Sequence, residues 1–489
     1  MKKILSSLFT MLGLLTVCPA TAQQIVVTVD SVGKLATELP DSMRLTISDL
    51  KIVGPLNGND IKVIQQIANR QKVKNQGEQL LQSIDLSETT IAEVRGLFNT
   101  KSNALPSSLF QNSIALERVV LPATVAEIGR SCFSGCKALR DIVIPESVTL
   151  IGNNAFSGCT SLTGITLPES VTAISNGTFE GCEQLASFTI PATITSIGNE
   201  AFKDCKSLTT MTIPEGVNAM GNGVFKGCLS LTSVIIDGPV TAIGNDCFAN
   251  CGNLTDITLP AAVKTIGKRA FSACKVLKAV TLPDGLTRID DDAFDNCTSL
   301  LSMNIPNLVK QLGSGVFQNC TSLDSVNIQG FISKIDKNTF RYCHSLRAVN
   351  LPVSVKSIGD HAFEQCSSLS DIALPVSVSS IGDDAFEQCV SLTSVVVPTA
   401  CTTIGSDAFR QCSGLQHVEL PAAIKKIGGS AFSKCASLNE VILNAATPPT
   451  ISSSTFKGLN SSCRIIVPRG KKNIYKEDKT WAKIKHLTE

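Results

Sequence analysis

Nineteen cysteines and four histidines stand in a chain of 489 residues. Thiols in that number could pair as disulfides, hold zinc, or act as nucleophiles. Each of these chemistries needs side chains that converge, and the spacing argues against convergence. His344, His361, His417 and His486 are scattered, and no CxxC, GxSxG, phosphate-loop or HExxH motif is present. The chain is therefore expected not to be an enzyme and to carry no cofactor and no zinc. One carboxylate pattern remains. Asp360-His361, Asp383-Asp384 and Ser406-Asp407 recur at equal intervals. Stacked, their oxygens could hold Ca²⁺; the competing account is that aspartate suits an exposed turn after glycine.

The interval is the key to the elements that position these groups. Phenylalanine recurs every 23 residues from Phe110 to Phe432, with a last copy, Phe456, after a step of 24. Cysteine follows three places after phenylalanine from Cys136 to Cys435, fourteen times in succession. A composition of 20 Phe against one Trp and two Tyr fits one Phe stamped into each copy of a unit.

A clear copy is SLTGITLPESVTAISNGTFEGC, Ser161 to Cys182. Leu162, Ile165 and Leu167 are apolar, and Ile165 and Leu167 alternate with outward residues at the period of a half-buried strand. Pro168 ends the strand, where it forfeits no ladder donor. Val171 and Ile174 are apolar again. A glycine then usually follows, as at Gly152, Gly198 and Gly359, and a left-handed backbone is its expected cause; Ser175, Asp290 and Asp336 are exceptions. Phe179 and Cys182 then turn inward. One such coil cannot bury its own apolar residues, but stacked coils can, each residue lying on its counterpart above and below. The expected architecture is a solenoid with a parallel sheet at a spacing of about 4.8 Å, roughly 70 Å long for fifteen coils.

The LxxIxL strand, the proline after it, the IGxxAFxGC block and the 23-residue period resemble the BspA-type leucine-rich repeats of bacteria. The resemblance covers residues 81–467 and implies a right-handed coil with its parallel β-sheet on the concave face. The flanks read as caps, which solenoids need to cover their terminal rungs. Leu45 to Ile67 reads as strand, turn and helix, with Asn59 or Asp60 placed to cap the helix. At the other end, Trp481 and Ile484 stand at helical spacing. The expected divisions are a signal segment at 1–22, an N-terminal α/β cap at 23–80, the solenoid at 81–467 and a C-terminal cap at 468–489.

Fourteen cysteines occupy one inward slot; Cys132 and Cys247 fill the small slot before Phe, and Cys401 that of Val378 and Ile424. Buried thiols behave as small hydrophobes, and stacked Cβ vectors run parallel rather than toward each other. Packed free thiols are expected, with Cys463, off the ladder, the exposed one.

Lys2 and Lys3, an apolar stretch from Ile4 to Val17 and Ala20-Thr21-Ala22 read as a secretory signal that leaves Gln23 first; lipidation at Cys18 is the weaker alternative. Removing Lys2 and Lys3 takes the formal charge from +2 to 0. A neutral chain argues against nucleic acid as partner. No later segment reads as transmembrane. Eight Lys and Arg from Arg464 onward read as a solvated end.

By phase, Thr166, Thr189, Thr212, Thr258 and Thr281 form one outward strip, interrupted by Ile235, and Asn304, Asn327 and Asn350 continue it. These side chains either pair with their neighbours in a solvated sheet or offer an uncharged strip to an extended polymer or a protein surface. His417, Glu419, Glu440, Val396 and Ile442 share that face further along. The leading expectation is a secreted or surface-exposed binding protein with a protein partner. The resemblance implies adhesion to host extracellular matrix or to other bacteria. The alternative is a structural spacer in an envelope assembly.

Overall fold

The computed structural model describes residues 24–93, 101–485 and 487–489. The expected signal segment, Cys18 and His486 lie outside the described residues. The chain forms a parallel β-solenoid whose coils build two ladders, the first interrupted at 163–167, 186–190 and 371–374. The first is built from the LxxIxL segment, as where Thr210–Ile213 pairs with Ser233–Ile236. The second is shorter and was not foreseen. It joins the residue pair that ends in the return-segment isoleucine, as in Ala173–Ile174, Ser196–Ile197 and Ala219–Met220. Both ladders run at a register of 23 residues, so identical slots superpose.

The core follows from that register. Neighbouring rings from Phe110 to Phe456 stack with centroids 5.1–5.8 Å apart. Phe188 replaces the aliphatic strand residue in its coil and wedges between Phe179 and Phe202. Cys132, Cys247 and Cys401 are buried free thiols in the slots expected of them. All fourteen ladder thiols are free and buried. Each donates to the phenylalanine carbonyl of the preceding coil, as Cys136 does to Phe110 at 3.0 Å and Cys274 to Phe248 at 3.1 Å. The slot thus takes a side chain that is small, apolar in bulk and still able to satisfy one buried carbonyl.

The repeated glycine has another cause than the one expected. Gly152, Gly198 and Gly359 are not left-handed; a Cβ on Gly152 would stand 2.6 Å from the backbone nitrogen of Arg130 in the coil below. Glycine is there because two backbones approach too closely for a side chain. The left-handed residues come two places later (Asn154, His361, Asp384) and again just before the cysteine (Gly158, Asn250, Gln365). Asparagine and aspartate are enriched there because they tolerate that conformation.

Between these slots runs a polar ladder. The Asn176 side-chain carbonyl accepts from the Asn199 backbone N–H at 2.7 Å, Asn199 from Asn222 at 2.7 Å, and Asn222 from Asn245 at 2.8 Å. Asp360 and Asp383 continue it, accepting from the backbone of Asp383 and Ser406.

Strands Ile25–Thr28, Asp49–Leu56 and Ser83–Ile91 extend the first ladder at the N-terminal end. Helix Gly58–Ala68 is capped by Asn57, not by Asn59 or Asp60; Asp60 completes the capping box by accepting from the Asn57 backbone at 2.9 Å. At the other end Trp481 and Tyr475 are fully buried. Trp481 packs on Phe456 and donates to the Pro449 carbonyl at 2.7 Å, while Tyr475 donates to Ala445 at 2.8 Å. Cys463 is buried rather than exposed, and burial pushes its thiol up to about 11.

Candidate recognition face

The first ladder places the phase-predicted residues on one outward face because strand side chains alternate. Thr212, Thr258, Thr281, Asn304 and Asn350 are exposed, and Asn327 is half-buried. Thr166 and Thr189 are exposed too, although their segments are not paired as strands. Ile235 breaks the threonine run with 54% of its surface in water. Asn304, Asn327 and Asn350 lie in register, and Asn350 donates to Asn327 at 2.8 Å. No hydrogen bond joins the five threonine hydroxyls to any side chain or backbone group among the described residues. They therefore do not pair with their neighbours.

Toward the C-terminal end the face becomes charged. Ser394, His417, Glu440 and Arg464 form one register column; Val396, Glu419, Ile442 and Ile466 form the next. Glu440 is held from both sides, by His417 Nδ1 at 3.3 Å and Arg464 at 2.8 Å. Asn444 donates to Glu419 at 3.0 Å. Beside this patch a cleft of about 370 Å³ is lined by Ile372, Leu374, Val376 and Val396, with Glu419 at its margin. Arg464 pairs with Glu440 at this patch while its side chain stays largely exposed. The extra residue before Phe456 breaks the phase, which hid its pairing with Glu440.

A second cleft, about 590 Å³, opens at the N-terminal end between Arg118, Arg140, Val120 and Val143. Sequence reasoning passed over these residues. Val120 and Val143 occupy the slot of Thr166, so carrying the phase two coils upstream would have found them.

The acidic pairs considered for calcium sit off this face. Asp360 and Asp383 spend one oxygen each on the polar ladder. His361 Nδ1 lies 2.6 Å from buried Glu364 and 3.7 Å from Asp384. Burial raises the carboxyls of Asp384 and Glu387 above their ordinary values; for Glu387 the nearby Asp384 adds to the rise. Asp407 faces Arg410 at 3.6 Å. Among the described residues no three His, Cys, Asp or Glu side chains are arranged to hold a metal ion.

The model of the BspA type leucine-rich repeat region matches residues 103–232, 218–347 and 333–463. The chain belongs to this family. Among solved structures it is similar to a leucine-rich repeat protein from Bacteroides ovatus, at 28% identity over 79% of this chain and 92% of that one, with a TM-score of 0.58. A leucine rich cell surface protein from Faecalibacterium prausnitzii matches at 24% identity over 76% and 89% of the two chains, with a TM-score of 0.36. The pneumococcal vaccine antigen PcpA matches at 21% identity over 66% and 91%, with a TM-score of 0.42. No curated protein matches the chain. The matched family is a repeat region and brings no catalytic domain with it. Among the described residues no helix is long and apolar enough to cross a membrane.

Proposed function

We propose that this BspA-type protein is a non-enzymatic binding protein, exported to the cell surface or the medium, that recognises a protein partner through its strand face. The observation that supports this reading most directly is the row of exposed threonine hydroxyls left without an internal hydrogen bond. Hydroxyls that recur at one slot of successive coils, at a strand spacing of about 4.8 Å, suit an extended partner that bridges several coils. The charged patch around Glu440 gives one end of the face a distinct chemistry and so a direction for docking. The family resemblance favours adhesion to host extracellular matrix or to another bacterial surface, and the near-neutral charge disfavours nucleic acid.

The test is capture of the full chain on immobilised collagen, laminin and fibronectin and on a bacterial envelope extract. Thr189→Lys with Thr212→Lys, or His417→Asp with Glu419→Lys, should lower capture at least tenfold with unchanged melting. If capture survives both pairs but fails when Trp481 is replaced, the chain acts as a spacer held by its ends.

A further inference from the structure

A different face changes character halfway along the solenoid. The segment from the proline after the strand to the return-segment isoleucine forms an edge of each coil. In the earlier coils this edge carries Glu146, Glu169, Glu215, Asp237 and Asp284. From residue 306 the pattern reverses. The six segments 306–312, 329–335, 352–358, 375–381, 398–404 and 421–427 contain no acidic residue, and they contain five lysines.

The same edge is apolar at its crest. Leu308, Phe331, Val353 and Val376, on four consecutive coils, are 50%, 71%, 79% and 75% exposed. Phe331 stands apart from the other phenylalanines among the described residues, which are buried in the stack or wedged against it. Lys310, Lys334 and Lys356 follow two or three residues after the crest, and all three are exposed. Lys310 and Lys356 have no ion-pair partner among the described residues; Lys334 meets Asp336 at 2.6 Å. Asp360 is the next acid along this flank, with one oxygen engaged by the Asp383 backbone.

Two serines beside the crest spend their hydroxyls on internal bonds. Ser354 donates to the Ile332 carbonyl at 2.8 Å, and Ser377 to the Val353 carbonyl at 2.7 Å. The proline turns close on themselves, Val309 donating to Pro306 and Val355 to Pro352, each at 3.1 Å. The crest therefore presents hydrocarbon whose nearby hydroxyls and several turn amides are already satisfied, flanked by long cationic side chains. An apolar side chain can enter a lipid interface cheaply only if it brings few unsatisfied polar groups with it. Lysine stems can lie along the apolar surface while their ammonium groups reach phosphate.

We propose that this edge, from Leu308 to Val376, docks onto an anionic lipid surface. Phe331 and its aliphatic neighbours enter the headgroup–acyl boundary, and Lys310, Lys334 and Lys356 meet the phosphates. An exposed hydrocarbon ridge that runs over four consecutive coils and is flanked by lysines matches the apolar boundary and anionic headgroups of a lipid surface. The strand strip from Thr166 to Asn350 is left free, while Val376 also walls the cleft beside Glu419, so docking and recognition meet only at that end.

The test is co-sedimentation of the full chain with vesicles of phosphatidylcholine alone and of equal parts phosphatidylcholine and phosphatidylglycerol. Binding is expected to the mixed vesicles only, to weaken with added salt, and to persist against soluble glycerophosphate. Phe331→Ser with Val353→Ser should reduce it about tenfold or more, as should Lys310→Glu with Lys356→Glu; circular dichroism checks that both variants stay folded. The proposal is overturned if neutral vesicles bind equally, if nothing sediments, or if the serine pair binds as the parent does. Release by glycerophosphate, or capture of an acidic peptide but not of vesicles, overturns it as well.

Discussion

The thiol of Cys366 donates to the backbone carbonyl of Phe340, 26 residues earlier, at 3.1 Å. The same bond recurs in every coil with a ladder cysteine, so these thiols are part of the hydrogen-bonded core. Burial pushes Cys182, Cys247, Cys274 and Cys435 from 9.0 up to about 12. In the unfolded chain they ionise near pH 9, so between pH 9 and 12 the unfolded state holds fewer protons than the fold. The stability they contribute is complete below pH 9 and is lost as pH rises toward 12, by about 1.4 kcal/mol per unit for each thiol. Urea unfolding midpoints should fall steeply across that window. At pH 7.5 iodoacetamide should label the folded protein at under a tenth of the unfolded rate; fast labelling of most thiols would contradict the packing.

At the Gly244 crossing a side chain should be costly, although Ser175, Asp290 and Asp336 fill the same slot in other coils, whereas a glycine in open space should be freely replaced. A Cβ on Gly244 would meet the Gly221 carbonyl oxygen at 2.4 Å, whereas one on Gly164 would meet nothing within 4 Å. Gly244→Ala is expected to cost about 1–3 kcal/mol by overpacking. Gly164→Ala should be neutral within about 0.5 kcal/mol. Equal denaturation midpoints for the two variants would argue that the coils can shift apart.

The polar ladder predicts an unusual equivalence. Asn222 accepts from the backbone of Asn245, and at Asp360 a carboxylate makes the same contact. Asn222→Asp should retain stability, while Asn222→Ala should lose about 1 kcal/mol. Chemical denaturation of the two variants separates acceptance by a side-chain oxygen from simple space filling.

Trp481 closes the last rung through Phe456 and Pro449. Trp481→Ala should cost about 3–5 kcal/mol at that end. Contacts in a solenoid are nearest-neighbour, so hydrogen exchange should rise through residues 440–467 and stay unchanged near Phe179. A uniform rise along the chain would mean that the array unfolds as a single cooperative unit.

The architecture was legible because phase is a direct readout of stacking. Phe, Cys and Leu at a constant interval can share a core only if coils superpose, and the outward threonines follow from the same count. What phase could not supply was the reason behind a residue choice. Gly152 satisfies either a left-handed backbone or a close approach, and only coordinates separate the two. The left-handed slots escaped notice because Asn154, His361 and Gln365 share a backbone conformation but no chemistry. The second ladder is two residues wide in each coil, too short to show alternation. At the C-terminal end burial is set by the cap, so Cys463 and Arg464 could not be placed by counting from Phe432. The lipid-docking edge was written in the sequence as a loss of acids after residue 306, but its meaning depended on seeing Phe331 turned outward.

Most coils hand their neighbours the same bonds at a 23-residue register, and Ile358–Cys366 and Ile381–Cys389 differ at a single position, His361 against Asp384. Near-identical stretches of this kind invite unequal recombination. Loss or gain of a whole 23-residue unit would leave each junction intact, while a one-residue change must be absorbed within its own coil, as the extra residue before Phe456 is. Lineages carrying this scaffold can therefore vary its reach in whole-coil increments without having to re-evolve a core.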